Sequence, residues 1–122
     1  MASDEVRVVV VDDEPDMRDM MKELLELDGY RVRTAPDAGS AMIAIAESNP
    51  VCVILDLKLP KIDGVELARR IRALYGTGIV LIMLTGSSLT VDHQAAEVAG
   101  VDYVLEKPLD VGLLRRMLPP ID

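Results

Sequence analysis

The sequence predicts an α/β fold in which a doubly wound, parallel, five-stranded sheet carries helices on both faces. Three observations support this. Four runs of apolar, β-branched residues, and a fifth strand-like segment at residues 30–35, alternate with segments of helical period in a chain of 122 residues. The runs are apolar at successive positions, which is typical of strands buried on both faces. The order of strand, helix and strand favours parallel pairing with right-handed crossovers, and the length fits one domain with one core.

Four of the five predicted strands are short apolar runs, and the helix after the first strand has the clearest period. Pro15 marks the start of this helix and Gly29 follows its end. Its apolar residues keep the i, i+3, i+4, i+7, i+8 spacing of a buried stripe, which predicts core packing. The stripe consists of Met17, Met20, Met21, Leu24 and Leu25. The strands are residues 8–11, 30–35, 51–55, 79–84 and 103–105.

The second and third helices are predicted from residues that cap and end them. Asp37 is the expected cap of the second helix, which ends before Pro50. Asp63 is the expected cap of the third, and its spacing to Glu66 is that of a capping box. The residues expected to face the core are Ala41, Ala44 and Ile45 in the second helix, and Leu67, Ile71 and Leu74 in the third.

Two shorter helices complete the prediction. The fourth runs from Thr90 to about Ala99 and closes on Gly100, a residue type that favours helix ends. The fifth covers residues 110–118 and ends before two consecutive prolines. Each of the five predicted strands is therefore followed by a helix.

Composition excludes several classes of function. The net charge of -8 argues against binding to a nucleic-acid backbone, and with neither Phe nor Trp there is little to stack on bases. The longest apolar run is far shorter than a membrane span. We therefore expect no membrane association and a cytoplasmic location. The single Cys52 excludes an internal disulfide, and its place in an apolar strand predicts a buried, unreactive thiol.

Polar residues follow four of the predicted strands at the point where each strand ends. Asp12 and Asp13 follow the first, Asp56 the third, Thr85 the fourth, and Lys107 comes shortly after the fifth. Each residue taken alone has an ordinary explanation as a cap, turn or surface group. Because the carboxyl ends of parallel strands share one sheet edge, where such folds bind ligands, we expect all of them to converge there.

The expected cluster is short of positive charge. Two carboxylates about 4 Å apart repel by ~4 kcal/mol at an effective dielectric near 20. Lys107 offsets one of the three negative charges, and the remainder matches one divalent cation. Oxygen ligands favour Mg²⁺, with Mn²⁺ as a substitute. A carboxylate beside such an ion can attack phosphorus, while the ion, Lys107 and Thr85 bind the phosphoryl oxygens.

Four motifs in this order resemble those of response-regulator receiver domains of two-component signalling. They are Val-Asp-Asp-Glu-Pro at residues 11–15, Asp-Leu-Lys-Leu-Pro-Lys-Ile-Asp-Gly at 56–64, Leu-Thr-Gly at 84–86 and Gly-Val-Asp-Tyr-Val-Leu-Glu-Lys-Pro at 100–108. The likeness covers Val6 to about Leu118. It implies a single receiver domain over residues 1–122 with its core at 6–118, and a flavodoxin-like (βα)5 fold with strand order 2-1-3-4-5.

The resemblance also implies a role for each site residue. Asp56 would be the phosphoacceptor, Asp13 a direct Mg²⁺ ligand and Asp12 a ligand mostly through water. The backbone carbonyl of Lys58 would complete the protein's share of the metal shell. Thr85 and Lys107 would assist the transfer, and the bond from Lys107 to Pro108 would be cis. Thr85 and Tyr103 would form the switch that alters the surface of helix four, strand five and helix five.

The implied partners are a sensor histidine kinase or histidine phosphotransfer protein and a downstream output domain or target. Family members dimerise through the surface of helix four, strand five and helix five, or bind targets there. No turnover of a separate substrate is expected, since the domain assists its own phosphorylation and dephosphorylation. The alternative is a receiver fold that acts as an unphosphorylated docking module.

Two other classes of protein, a phosphatase and a flavin binder, share some of these features but fit less well. A haloacid-dehalogenase-like phosphatase also uses an Asp nucleophile with Mg²⁺, but it needs a second Asp two positions on, where this chain has Lys58. A flavodoxin-like flavin binder needs a phosphate loop rich in Gly and hydroxyl groups after the first strand. Here that loop carries Asp12, Asp13, Glu14 and Asp16, whose charge repels phosphate.

Overall fold

Five parallel strands form one sheet in the order β2-β1-β3-β4-β5, as predicted. A computed structural model describes residues 6–86 and 92–120 of the chain. The strands are β1 (Arg7–Val11), β2 (Arg31–Ala35), β3 (Cys52–Asp56), β4 (Val80–Thr85) and β5 (Tyr103–Glu106). The helices are α1 (Pro15–Leu27), α2 (Ala38–Ser48), α3 (Gly64–Tyr75), α4 (His93–Val98) and α5 (Val111–Met117).

Three strands, β3, β4 and β5, end one residue later than the sequence predicts. The parallel ladder continues through Asp56, which pairs with Leu84, and through Thr85, which pairs with Glu106. These polar residues were expected just past the strands. Because they are instead the last paired residues of their strands, their backbones are fixed by the sheet.

Aspartate caps begin four of the helices. Asp37 and Asp63 accept hydrogen bonds from the backbone N–H groups of Ser40 and Glu66, at 2.8 and 2.9 Å, as predicted for α2 and α3. The capping box at α3 is only half formed, because the Glu66 carboxylate binds Arg69 and Arg70 instead. The remaining caps are Asp92 for α4 and Asp110 for α5. The expected start of the fourth helix at Thr90 lies outside the described residues.

The core has two layers, one on each face of the sheet. In β1, Val9 and Val11 face one layer, which holds the inward residues of α2 and α3. Val8 and Val10 face the other, which holds those of α1 and α5. This two-sided burial is the reason that the central strands β1, β3 and β4 read as continuous apolar runs. No helix within residues 6–86 or 92–120 combines the length and apolarity that a bilayer span requires.

Two residues expected in the core are exposed. Leu74 is 70% exposed, because residues 73–78 are all exposed and the last turn of α3 lies beyond the core. Met20 is 42% exposed, since Met21 and Leu25 of the same stripe take the buried positions of α1. The other predicted inward residues of α2 and α3 are buried.

Cys52 is fully buried in β3, as predicted, and burial raises the pKa of its thiol to about 12. At pH 8 the thiol is therefore protonated as well as inaccessible. We expect a thiol-specific reagent to label the native protein at least about 100-fold more slowly than the urea-unfolded protein. Equal labelling rates in the two states would contradict this placement.

Gly64 begins α3 directly against the backbone of β3. A Cβ at this position would lie 2.5 Å from the carbonyl oxygen of Asp56, where neither group can move freely. We expect Gly64→Ala to lower the free energy of unfolding in urea by about 2 kcal/mol through overpacking. Gly78→Ala is the matched control, since a Cβ there meets nothing within 4 Å and should change stability by less than about 1 kcal/mol. Equal effects of the two variants would contradict the close approach.

Candidate functional site

Three carboxylates meet at the carboxyl edge of the sheet. Oxygen atoms of Asp12, Asp13 and Asp56 all lie within 4.8 Å of one another. Asp12 and Asp56 are 2% and 8% exposed, whereas Asp13 lies at the exposed rim. The adjacent pairing of β1 with β3 brings these residues together, although Asp56 is far from the other two in sequence.

Asp12 is held by contacts to every polar group that it carries. Its N–H donates to the carbonyl of Ala35 at 3.1 Å, so β2 fixes its backbone. Its Oδ1 accepts from the N–H of Glu14 at 2.9 Å, and Lys107 Nζ lies 3.5 Å from its Oδ2. Its carbonyl oxygen accepts from Nη1 of Arg18 at 2.7 Å. The carboxylate orientation is therefore strongly constrained.

Asp56 lies at the centre of the cluster. Its Oδ2 accepts from Lys107 Nζ at 3.1 Å, and its Oδ1 accepts from the backbone N–H of Lys58 at 3.3 Å. The next residue, Leu57, donates to the Leu84 carbonyl at 2.8 Å, which continues the contact with β4 past the strand end. The Asp56 carboxylate is nearly buried, yet each of its oxygens accepts only one hydrogen bond from Lys107 Nζ or the Lys58 N–H.

Lys107 reaches the carboxylates from two strands away, across the end of β4. Its N–H donates to the carbonyl of Thr85 at 2.7 Å, which places the residue directly after β5. Burial of the ammonium acts to lower the pKa of Lys107, but the hydrogen bond and charge of Asp56 and the charge of Asp12 outweigh it and raise that pKa. The group is therefore a fixed cation at neutral pH.

The remaining predicted residues surround this centre. Thr85 is 2% exposed at the end of β4, beside Lys107. Tyr103 begins β5 and is 42% exposed, so the residue is only partly covered. The peptide bond between Lys107 and Pro108 is cis.

The donor set fits a hard divalent cation. The three clustered ligands are all carboxylates, two of them nearly buried, and Lys107 supplies only one positive charge against them. Oxygen ligands without His or Cys favour ions such as Mg²⁺, Mn²⁺ or Ca²⁺ over transition metals that prefer nitrogen or sulfur. An ion here would relieve repulsion that the protein otherwise bears alone.

Sequence reasoning missed two residues that shape the site. Arg18 binds the Asp12 carbonyl, but on a helix rich in charged residues nothing in its spacing distinguishes it from a solvated side chain. Gly64 was recognised only as part of a motif, and its close approach to Asp56 depends on tertiary packing.

A parallel sheet in this order with an acidic cluster at its carboxyl edge defines the architecture of a signalling receiver domain. The family model described as "Response regulator receiver domain" matches residues 8–119. The chain therefore belongs to the receiver-domain family of response regulators.

Two curated relatives illustrate the match. Response regulator MprA from Mycolicibacterium vanbaalenii is 34% identical, over 93% of this chain and 52% of its own length. An uncharacterized 14.6 kDa protein from Leptolyngbya boryana is 38% identical, over 84% of this chain and 79% of its own length. The chain thus spans about half the length of the MprA relatives that it matches.

The solved structures agree in fold. A CheY-like response regulator receiver domain protein from Methanospirillum hungatei is 30% identical, with a TM-score of 0.85 over 93% of this chain and 90% of that chain. A receiver domain protein from Clostridium thermocellum has the same TM-score at 29% identity, over 92% of this chain and 90% of that chain.

Repulsion within the cluster predicts that removing one carboxylate stabilises the metal-free protein. We expect Asp13→Asn to raise the free energy of unfolding, measured by urea titration in EDTA, by about 1 kcal/mol. Asp19→Asn is the matched control: it makes the same charge change at an exposed position of α1 and should stay within about 0.5 kcal/mol of the parent. A less stable Asp13→Asn protein would show that the carboxylates do not repel as inferred.

Proposed function

We propose that this receiver domain accepts a phosphoryl group on Asp56 in a reaction that depends on Mg²⁺. The observation that carries the proposal is the placement of the Asp56 carboxylate, which is nearly buried, 3.1 Å from Lys107 Nζ, and clustered with Asp12 and Asp13. A carboxylate is a competent nucleophile toward phosphorus when nearby positive charge neutralises the phosphoryl oxygens.

The metal would be held by Asp12, Asp13, Asp56 and the backbone carbonyl of Lys58. Bound Mg²⁺, or Mn²⁺ in its place, would neutralise charge on a phosphoryl oxygen. Asp12 is the more rigid of the first two, because its carboxylate is buried and hydrogen-bonded.

The transfer step balances without a further reactant. An oxygen of the Asp56 carboxylate attacks the phosphorus of a phosphohistidine, and the new O–P bond forms as the donor's P–N bond breaks. The other ring nitrogen of the phosphohistidine carries a proton, so the electron pair of the P–N bond leaves with a neutral imidazole. Lys107 binds one phosphoryl oxygen, and the Thr85 hydroxyl binds another. Hydrolysis of the resulting acyl phosphate returns the carboxylate, so the domain assists its own dephosphorylation and turns over no separate substrate.

The switch would begin at Thr85, whose buried hydroxyl lies at the end of β4. Movement of this hydroxyl toward the phosphoryl group would open space for the ring of Tyr103. Tyr103 is 42% exposed on the neighbouring strand β5, which is part of the surface formed by α4, β5 and α5. A change in ring position would alter the affinity of this surface for a partner.

The proposed partners follow from the family. A sensor histidine kinase or a histidine phosphotransfer protein in the cytoplasm would supply the phosphoryl group. An output domain or a separate target protein would respond, and a second copy of the chain can use the same surface. This chain matches about half the length of the MprA relatives, which leaves room in those proteins for an attached output domain.

The proposal is tested by intact mass after incubation with acetyl phosphate and Mg²⁺. We expect one added phosphoryl group that hydroxylamine removes, as an acyl phosphate requires. Asp56→Asn and excess EDTA should each abolish the adduct, because one removes the nucleophile and the other the cation. Asp19→Asn, an equal charge change away from the cluster, should be phosphorylated like the parent.

Two outcomes would contradict the proposal. An adduct that persists in Asp56→Asn would assign the nucleophile to another residue. No adduct in the parent protein, with acetyl phosphate or with a phosphorylated histidine phosphotransfer protein, would favour the unphosphorylated docking module.

A further inference from the structure

Arg18 is a second cation at the rim of the acidic cluster. Its side chain turns back over the first turn of α1, and Nη1 donates to the carbonyl oxygen of Asp12 at 2.7 Å. The backbone N–H of Arg18 donates to the Glu14 carbonyl at 3.1 Å, so the start of the helix fixes the base of this side chain. The side chain is partly buried, unlike that of its neighbour Asp19.

The carbonyl that Arg18 binds belongs to the peptide unit that joins Asp12 to Asp13. Rotation of this peptide would move both carboxylates relative to each other. The Asp12 side chain has restraints of its own from Glu14 and Lys107. Asp13 lies at the exposed rim, between this peptide and Glu14, whose N–H binds the Asp12 carboxylate. The bond from Arg18 is therefore a restraint on the position of Asp13.

We propose that Arg18 is a positioning residue for the cation site, which it assists by orienting the Asp12–Asp13 peptide rather than by touching the ion or the phosphoryl group. The inference rests on the proposed function, since it assigns a further residue to the same site. Two effects oppose each other. The positive charge of Arg18 opposes binding of a divalent cation, whereas its hydrogen bond to the Asp12 carbonyl favours that binding. The bond is expected to dominate, because the partly exposed guanidinium is screened by water whereas a hydrogen bond from a charged donor is local and strong.

The direct test is Mg²⁺ binding to the metal-free full chain by isothermal titration calorimetry. Arg18→Met removes the charge and the bond, and we expect the dissociation constant for Mg²⁺ to rise about 3- to 10-fold. Arg18→Lys keeps the charge and one donor group, and should recover at least half of that loss on a logarithmic scale. Lys22→Met is the matched control, because it removes the same charge one turn further along α1, on an exposed side chain. Its dissociation constant should stay within about 2-fold of the parent.

A second readout separates positioning of the cation ligands from general damage. In phosphorylation by acetyl phosphate, Arg18→Met should need more Mg²⁺ for half-maximal rate but reach the parent rate at saturating Mg²⁺.

Tighter Mg²⁺ binding by Arg18→Met would overturn the inference in favour of charge repulsion, and unchanged binding would overturn it outright. A maximal rate that stays low at saturating Mg²⁺ would also overturn it, since Arg18 would then act on the transfer itself. If the parent chain binds no Mg²⁺, the proposed function is wrong. If the parent binds Mg²⁺ but the Arg18 variants do not show the expected dissociation constants, only the role of Arg18 is wrong.

Discussion

Repulsion among the carboxylates at the sheet edge is the constraint on which the site depends. The carboxylates of Asp12, Asp13 and Asp56 lie so close together that they repel one another unless positive charge compensates. Two of them, Asp12 and Asp56, are nearly buried. The sheet can impose this arrangement because their backbones belong to strands, or to turns directly after strands, that are buried on both faces. The apolar core thus supplies the stability that the charged edge lacks, and the stored repulsion is what makes the edge receptive to a cation.

The compensation that the protein provides comes from far away in sequence. Lys107 contacts Asp12 and Asp56, which lie 95 and 51 residues earlier in the chain. The sheet order makes these contacts possible, because it places β5 two strands from β3. The register of β4 makes the reach short, because Thr85 pairs with Glu106 and its carbonyl accepts the N–H of Lys107. A one-residue slip in either ladder would point these side chains to opposite faces. Strand order and register are therefore part of the chemistry.

The fold could be predicted from the sequence because its determinants are local or periodic. Continuous apolar runs marked four of the five strands, and Asp37 and Asp63 marked helix starts through hydrogen bonds to residues three positions on. The convergence of polar residues followed from parallel pairing alone. The positions that escaped prediction depend on tertiary packing: Leu74 has the right period but lies where α3 has passed the core, and Arg18 reaches a carbonyl that no pattern identifies.

Both ends of β5 are fastened to β4. At its start, the N–H of Asp102 donates to the Leu81 carbonyl at 2.9 Å, and the Asp102 carboxylate binds both the Leu81 N–H and Arg72. At its end, Lys107 binds the Thr85 carbonyl and the acidic cluster. Tyr103 lies between these two anchors and is partly exposed. A strand fixed at both ends responds most easily through its side chains, because a backbone shift would break these contacts together. If the proposed switch operates, rotation of the Tyr103 ring would leave these contacts intact, whereas displacement of β5 would break them.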